Sequence, residues 1–281
     1  MTLPRSILYP VDFSALSGQV WPAVASMAHQ LEASVTLLHA VDLDYLELPE
    51  EFSETRRIRQ RIFDKLEAFA TPGVQTVKRE VSSGSPAHAI VRFAGTMDQP
   101  LIMMPTRGHT RFRQLLLGST TAAVLHDAEC PVWTDAHTDK IQAFSGKINI
   151  IVCALDLGPQ TPAVLQSALA FSQKFGAALK LVHSVPGIDP HFPSATADRA
   201  HAFLKDQALE LFPEHCRKAG IDLPLEIVED VGLVNGIAAA AARHNADVLV
   251  IGRGVCQGTL GRLRTNAHAL IRHSPCPVLS V

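Results

Sequence analysis

One segment of the chain combines the residue types that hold an anion. Residues 104–125 read MPTRGHTRFRQLLLGSTTAAVL and follow a short apolar run. Gly108 and Gly118 would let the backbone pass close to a phosphate, and the start of a helix offers unpaired N–H groups and a favourable dipole. Ser119, interpreted as the cap of the next helix, and Thr120 would add hydroxyls. The segment predicts an anion site; the alternative is an ordinary surface loop before a capped helix.

Other chemical motifs are missing from the sequence. Neither a GxxxxGK[ST] loop nor a GxGxxG fingerprint occurs, so neither of these phosphate-binding loops is present. Thirteen histidines raise the question of a metal site. However, no HExxH motif occurs, and His268 and His273 are predicted on different sides of their helix. His39 and His183 are interpreted as structural residues at strand ends, so we predict no catalytic residue and no metal ligand.

Composition excludes several classes of protein. A hydrophobic fraction of 47% and a charged fraction of 19% over 281 residues are typical of a packed globular protein. A formal net charge of −2 leaves no basic excess for nucleic acid. The apolar runs fall short of the ~20 residues of a membrane span, and the first residues lack a signal-peptide pattern. Five cysteines without a CxxC pair favour reduced thiols, and hence a cytoplasmic protein.

The chain repeats itself once. Three pairs of matching residues have nearly the same spacing, 144, 144 and 146 residues: Asp12 with Asp156, His39 with His183, and Cys130 with Cys276. Such matches indicate a tandem duplication. We therefore predict domains over residues 1–135 and 147–281, joined by a polar linker over 136–146. The two cysteines precede prolines at the start of predicted last strands and are interpreted as small core residues.

Each half alternates strand-like and helix-like segments. In the first half, strands are predicted over 6–12, 35–41, 74–81, 100–104 and 131–134, and helices over 14–32, 52–69, 86–95 and 119–128. Ser14 is the predicted cap of the first helix, and Pro86 begins the third. The second half repeats this order. Alternation of this kind predicts a parallel sheet flanked by helices, with any ligand at the carboxyl ends of the strands.

These features resemble the universal stress protein family in its tandem form. The family's loop reads G-x-x-G, nine residues, then G-[ST], usually within M-G-T-x-G-x-x-G-x-x-x-x-L-L-G-S. Met104, Thr106, Gly108, Gly118 and Ser119 stand in register with that pattern. PVDFS at residues 10–14 and CPV at 130–132 match as well, so the resemblance covers both halves.

The resemblance implies two Rossmann-like domains of the adenine nucleotide α-hydrolase type, each with a five-stranded parallel sheet. It implies a stress-response protein whose first domain binds ATP or AMP, with or without Mg²⁺, as a regulatory ligand. The base and ribose would be held by Pro10, Val11, Asp12 and Val41, and the phosphates by Gly108, Gly118, Ser119 and Thr120. Met104 and Thr106 would also belong to the nucleotide site. It also implies that the last strands pair, within the chain as a pseudo-dimer or between chains as a homodimer.

Two departures from the family pattern leave alternatives open. Pro105 replaces the first loop glycine and removes one N–H donor. In the second half, Arg264 and Thr265 stand where the first has Gly118 and Ser119, so that site is predicted to be degenerate. One alternative is an adaptor with no nucleotide in either domain. Slow ATP hydrolysis is the other, although no acidic metal pair or catalytic lysine has an assignable role.

Overall fold

The computed structural model describes residues 3–41, 53–106, 117–135, 147–187, 195–230, 232–253 and 265–281. The predictions made for Gly108, Arg264 and the linker 136–146 lie outside the described residues. The chain divides into two compact units, Pro4–Asp135 and Lys147–Val281, called the N-terminal and C-terminal units below.

The N-terminal unit alternates strands and helices along the chain. Its elements are β1 (Ser6–Pro10), α1 (Ala15–Leu31), β2 (Ser34–Val41), α2 (Ser53–Glu67), β3 (Val77–Ser83), α3 (Pro86–Ala94), β4 (Pro100–Met104), α4 (Ser119–Asp127) and β5 (Val132–Thr134). The strands lie in the order β3-β2-β1-β4-β5, and each neighbouring pair is parallel. The first strand thus occupies the centre of its sheet.

The C-terminal unit repeats this arrangement. Its elements are β6 (Ile150–Leu155), α5 (Thr161–Phe175), β7 (Ala178–Pro186), α6 (Ala195–Ala219), β8 (Leu225–Asp230), α7 (Leu233–Arg243), β9 (Val248–Ile251), α8 (Thr265–His273) and β10 (Val278–Ser280). The parallel strand order is β8-β7-β6-β9-β10. The predicted α/β fold with parallel sheets is therefore confirmed.

The central strands are apolar at consecutive positions because both sheet faces are covered. Ile7, Leu8 and Tyr9 are each 0% exposed. Successive residues of a strand point to opposite faces. Burial of all three therefore requires packing on both sides of the sheet, as expected for parallel sheets.

Helix α1 begins as the sequence predicts. Ser14 is its N-cap, and the Ser14 Oγ accepts a hydrogen bond from the Ser17 N–H at 3.3 Å. The C-cap is Glu32, whose φ of 57° is left-handed and whose N–H bonds back to the helix carbonyls. The apolar positions between these ends, including Val24 and Met27, are buried. Local capping and apolar spacing together fix this element.

Two predictions about the starts of elements were wrong. Strand β3 begins at Val77 rather than Val74, because Val77 is the first residue that pairs with β2. Gly73, with a φ of 85°, instead turns the chain just before it. Helix α4 begins at Ser119 itself, and Gly118 is its N-cap without a side-chain cap bond. The prediction that Ser119 caps the helix was therefore wrong; the extended backbone of Gly118, with ψ of 142°, occupies the cap position.

The described cysteines are free thiols: Cys130, Cys153, Cys216 and Cys276. Cys276 is buried, as predicted, whereas Cys130 lies partly exposed in the bend before β5. Within the described ranges, no helix is long and apolar enough to cross a membrane. The same ranges contain no cluster of three or more His, Cys, Asp or Glu side chains placed to hold a metal ion.

Candidate functional site

A cavity of about 230 Å³ lies in the N-terminal unit where β1, β2 and β4 end. The starts of α1, α3 and α4 complete its wall. Seven of the predicted site residues line it: Pro10, Val11, Asp12, Met104, Gly118, Ser119 and Thr120. Val41 and Thr106 do not line it and are buried, at 7% and 3% exposed. The topology therefore brings together segments that are more than a hundred residues apart in the sequence.

Asp12 is held in place by the turn that follows β1. Its Oδ1 accepts hydrogen bonds from the Ser14 N–H at 3.0 Å and from the Ser17 Oγ at 2.7 Å. Phe13, which lies between Asp12 and Ser14, has a φ of 60°, a left-handed conformation that is costly for a bulky side chain. A strained residue fixed by hydrogen bonds on either side gives the carboxylate one orientation beside the cavity.

The Tyr9 hydroxyl anchors the first turn of α1, which follows the Asp12 turn. Burial, together with the carboxylates of Asp12 and Asp135, raises the pKa of the Tyr9 hydroxyl far above its usual value. The hydroxyl therefore stays protonated, and it donates a hydrogen bond of 2.6 Å to the Ser17 carbonyl oxygen. The first turn of α1 is thus anchored through both the side chain and the backbone of Ser17.

The first turn of α4 supplies N–H groups to the cavity. The earliest bond within the helix joins the Ala122 N–H to the Gly118 carbonyl at 2.8 Å. The amides of Ser119, Thr120 and Thr121 precede that bond and have no acceptor within the helix. No acidic side chain lies in this turn. Free amides and the helix dipole together favour an anion here.

Two hydrogen bonds join the residues just before the glycine-rich loop to the residues just after it. The Gly118 N–H donates to the Thr106 carbonyl at 2.9 Å. The Thr121 Oγ donates to the Pro105 carbonyl at 3.1 Å. Thr106 thus contributes a backbone closure rather than a side chain to the cavity, and Pro105 lies in the cavity wall.

His39 also lines the cavity, although the sequence predicts only a structural role for it. Its Nδ1 lies 2.7 Å from the Val11 carbonyl oxygen. A carbonyl oxygen only accepts, so Nδ1 carries the hydrogen and Nε2 is left as an acceptor. The ring also packs 4.4 Å from the Phe13 ring, centroid to centroid. The side chain therefore fixes the end of β1 and at the same time borders the ligand space.

Sequence reasoning missed seven residues that line the cavity: Ser17, Leu38, His39, Ala40, Pro86, Ile90 and Thr121. One of them carried a signal. Ser17 is the one polar residue among the buried residues of α1, and a buried hydroxyl on an apolar helix face demands a partner. The residues from α3 carried none, because their role depends on how that helix approaches the strand ends.

A second cavity of about 280 Å³ lies at the matching place in the C-terminal unit. Asp156 occupies the position of Asp12, and its Oδ1 accepts from the Gly158 N–H at 2.9 Å and the Thr161 Oγ at 3.4 Å. His183 corresponds to His39 and again lines the cavity. The turn after the first strand is therefore duplicated in both units.

Family comparison accounts for this duplicated architecture. The model of the universal stress protein family matches the chain twice, over residues 4–134 and 147–281. The chain belongs to the universal stress protein family. The two matches indicate a tandem member, and the predicted resemblance is confirmed.

Known relatives match one half of this universal stress protein at a time. A universal stress protein of Methanocaldococcus jannaschii is 31% identical over 137 residues, covering 46% of the chain and 81% of the relative. A universal stress protein of Thermus aquaticus is 32% identical over 132 residues, covering 46% of the chain and 96% of the relative. Among solved structures, one from Archaeoglobus fulgidus covers 99% of the chain and 96% of its own, at 22% identity and a TM-score of 0.63. At 22% identity, the similarity to the Archaeoglobus fulgidus structure shows only that the two chains share a fold.

Proposed function

We propose that this universal stress protein binds an adenine nucleotide, ATP or AMP, in the cavity of the N-terminal unit as a regulatory ligand. One observation carries the proposal. The cavity joins the oriented carboxylate of Asp12 to the unpaired amides at the start of α4. An acceptor for ribose hydroxyls and a donor set for phosphate thus face the same space.

The proposed contacts divide between the two sides of the cavity. The Asp12 carboxylate and the backbone of Pro10 and Val11 face the base and ribose. The amides and hydroxyls of Ser119 and Thr120 hold phosphate oxygens, and Met104 and Gly118 line the cavity beside them. A contact from Gly108, which lies outside the described residues, rests on the family resemblance. Val41 lies outside the cavity wall, so its contact with the base rests on the family resemblance alone.

Adenine nucleotides are the ligand class to test. Two universal stress proteins of known structure hold such a ligand, cAMP in one and dAMP in the other. That is a property of those proteins; the proposal for this chain rests on its own cavity. In this proposal Mg²⁺, where it is present, enters together with the phosphates of ATP.

The proposed role is regulation in a stress response rather than catalysis. A nucleotide changes the conformation or the partner choice of the protein only if it binds two states with different affinity. The proposed setting is the cytoplasm, in keeping with the free thiols of the described cysteines. Association of the chain into a homodimer belongs to the same proposal.

A second candidate function is that of an adaptor that binds no nucleotide. Pro105 favours it, because this residue of the cavity wall has no N–H to offer a phosphate. In that case the duplicated architecture of the cavity would serve folding, and partner proteins would contact the surface.

Calorimetric titration of ATP and of AMP into ligand-free protein, with and without Mg²⁺, tests the proposal. We expect one nucleotide per chain. The variant Gly118→Arg should abolish binding, because its side chain enters the space in front of Ser119. Gly118 has a φ of −59°, which any residue adopts, so the substitution blocks the site without straining the backbone.

The matched control is Gly18→Arg. Gly18 is exposed on α1 with no atom within 4 Å of an added Cβ, so this variant adds the same charge to the same unit away from the cavity. It should bind like the unmodified protein. No heat at millimolar nucleotide would overturn the proposal in favour of the adaptor, and two nucleotides per chain would contradict its restriction to the N-terminal unit.

A further inference from the structure

The cavity of the C-terminal unit contains polar atoms that the protein leaves unpaired. Among the described residues, the Ser184 Oγ and the Gln160 Oε1 are buried without a hydrogen-bond partner. Both residues line this cavity, and Ser184 is only 5% exposed. Unpaired buried polar atoms are destabilising and rare in native proteins. Two of them around one cavity point to a ligand that completes their hydrogen bonds.

The space beside Ser184 depends on Gly236. A Cβ added at Gly236 would lie 3.2 Å from the Ser184 Oγ and 3.0 Å from the Asp230 Cβ. A larger residue would crowd the hydroxyl from the side of α7. In the N-terminal unit the corresponding positions are Ala40 and Ala89, so the hydroxyl and the glycine beside it belong to the C-terminal unit alone.

The polar groups of this cavity are mainly acceptors. The Nδ1 of His183 lies 2.8 Å from the Leu155 carbonyl oxygen, which fixes the hydrogen on Nδ1 and leaves Nε2 as an acceptor. The Asp156 carboxylate and the Gln160 Oε1 also accept. A ligand that satisfies this wall must donate hydrogen bonds.

Most of the other described residues that line the cavity are apolar. Thr120 and Thr121 line the cavity of the N-terminal unit at the helix start. Asn266 and Ala267 take these positions in the C-terminal unit, and Leu270 reaches the cavity one turn further on. The two threonine hydroxyls at the helix start are thus replaced by an amide and a methyl group. The volume of about 280 Å³, at roughly 30 Å³ for each water-sized group, admits a molecule of roughly nine non-hydrogen atoms.

We propose that the cavity of the C-terminal unit binds a small molecule with an apolar body and a hydrogen-bond donor group, a hydroxyl or an ammonium. The donor group pairs with the Ser184 Oγ or the Gln160 Oε1, and the apolar body packs against Leu233, Ile237 and Leu270. The site is separate from the nucleotide cavity, and its ligand class is different. The proposal holds whether or not the N-terminal unit binds a nucleotide.

The test uses three probes that share one apolar body: 2-phenylethanol, 2-phenylethylamine and 3-phenylpropanoate. Their dissociation constants for the full chain are measured by ligand-observed NMR titration. We expect saturable binding of the alcohol and of the ammonium, and at least tenfold weaker binding of the carboxylate, which has no donor for this wall and is repelled by the Asp156 carboxylate. An excess of ATP should not displace the alcohol.

Two variants place the alcohol in this cavity. Ser184→Ala removes the unpaired hydroxyl and should weaken binding about two- to tenfold, the effect of one hydrogen bond. Ala267→Phe fills the space at the start of α8 and should abolish binding, with its circular dichroism and melting curve confirming that it folds. Ala40→Ser, the mirror substitution in the N-terminal unit, should leave the affinity unchanged.

Several results would overturn the proposal. These are an absence of saturation by the alcohol at its solubility limit, equal or tighter binding of the carboxylate, displacement by ATP, or an unchanged affinity in Ser184→Ala. Because Ser184→Ala replaces an unpaired hydroxyl by the residue found at position 40, it should fold at least as stably as the unmodified chain. Its binding result is therefore not open to an explanation by misfolding.

Discussion

The Nδ1 of His39 lies 2.7 Å from the carbonyl oxygen of Val11, at the residue just before Asp12. The C-terminal unit repeats this bond between His183 and Leu155 at 2.8 Å. In each unit the bond fastens the end of the second strand to the end of the first. The turn that carries the aspartate therefore starts from a fixed point.

Substitution of His39 should loosen that turn. His39→Ala leaves the Val11 carbonyl without its donor, so we expect a loss of about 1–2 kcal/mol in the free energy of unfolding and weaker nucleotide binding. His39→Asn places an amide N–H near the position of Nδ1 and should recover most of both. Urea denaturation and calorimetric titration measure the two effects.

The matched control for this prediction is His183→Ala. It removes the equivalent bond from the C-terminal unit, so it should lower stability without changing nucleotide affinity. An unchanged affinity in His39→Ala would show that the turn after β1 keeps its shape without the histidine.

Asp12 combines a structural and a proposed binding role, and two substitutions separate them. Asp12→Asn keeps an Oδ1 acceptor for Ser14 and Ser17, so its melting temperature should stay close to that of the unmodified chain. Its neutral acceptor should weaken nucleotide binding by about three- to tenfold, because hydrogen bonds to charged groups are the stronger ones.

Asp12→Ala removes the acceptor as well and should lose about 1–2 kcal/mol of stability, as expected for a lost cap or turn bond. Its nucleotide affinity should fall by more than that of Asp12→Asn. Asp156→Asn, in the C-terminal unit, is the control and should leave nucleotide binding unchanged. Equal affinity of Asp12→Asn and the unmodified chain would remove Asp12 from the proposed site.

The sequence predicts the sheet because its strands are buried on both faces and therefore read as continuous apolar runs. β4 and the start of β1 fall at the predicted residues. The predicted start of β3 failed because its boundary is set by where β2 begins, not by a local pattern. Long-range pairing of this kind leaves no signal in a single segment.

The residues of the candidate site were likewise predicted only in part. Gly118, Ser119 and Thr120 were predicted from the glycines and the helix start, because their backbone positions follow from the local motif. Pro10, Val11, Asp12 and Met104 were predicted from the family resemblance. Pro86 and Ile90 were not, since they reach the cavity only through the packing of α3. Thr106 and Val41 match the family's pattern, yet their side chains are buried away from the cavity. A motif identifies a backbone path more reliably than the direction of each side chain along it.

Tyr9 should make the N-terminal unit sensitive to alkali. Burial raises the pKa of its hydroxyl in the folded state, so the folded state binds the proton more tightly than the unfolded state. The corresponding stability is present below the ordinary tyrosine pKa, about pH 10, and is lost as the pH rises above it.

Tyr9→Phe should therefore flatten the decline in unfolding free energy above about pH 10, at a cost of about 1 kcal/mol near neutrality from the lost bond to Ser17. A decline of unchanged steepness in Tyr9→Phe would assign the alkaline sensitivity to another group.

Glu226 should give the C-terminal unit an acid-sensitive component. Burial alone would raise the pKa of its carboxyl group, but hydrogen bonds from His244 and Arg243, strengthened by their charges, lower it overall. His244 Nε2 lies 2.6 Å from the carboxylate, and Arg243 bonds its other oxygen. A lowered pKa in the folded state means that the stabilisation is present above the ordinary glutamate pKa and is lost as the pH falls through the lowered value.

Glu226→Gln tests this component. Because the pair is partly exposed, its loss should cost at most about 1 kcal/mol at pH 7, and the difference from the unmodified chain should shrink as the pH falls below the ordinary glutamate pKa and through the lowered value. Urea denaturation across this range measures it. Arg243→Gln should lose a similar amount, and the double variant should lose less than the sum, since the two residues share one interaction. A constant difference between Glu226→Gln and the unmodified chain at every pH would show that the loss comes from packing rather than from the charge.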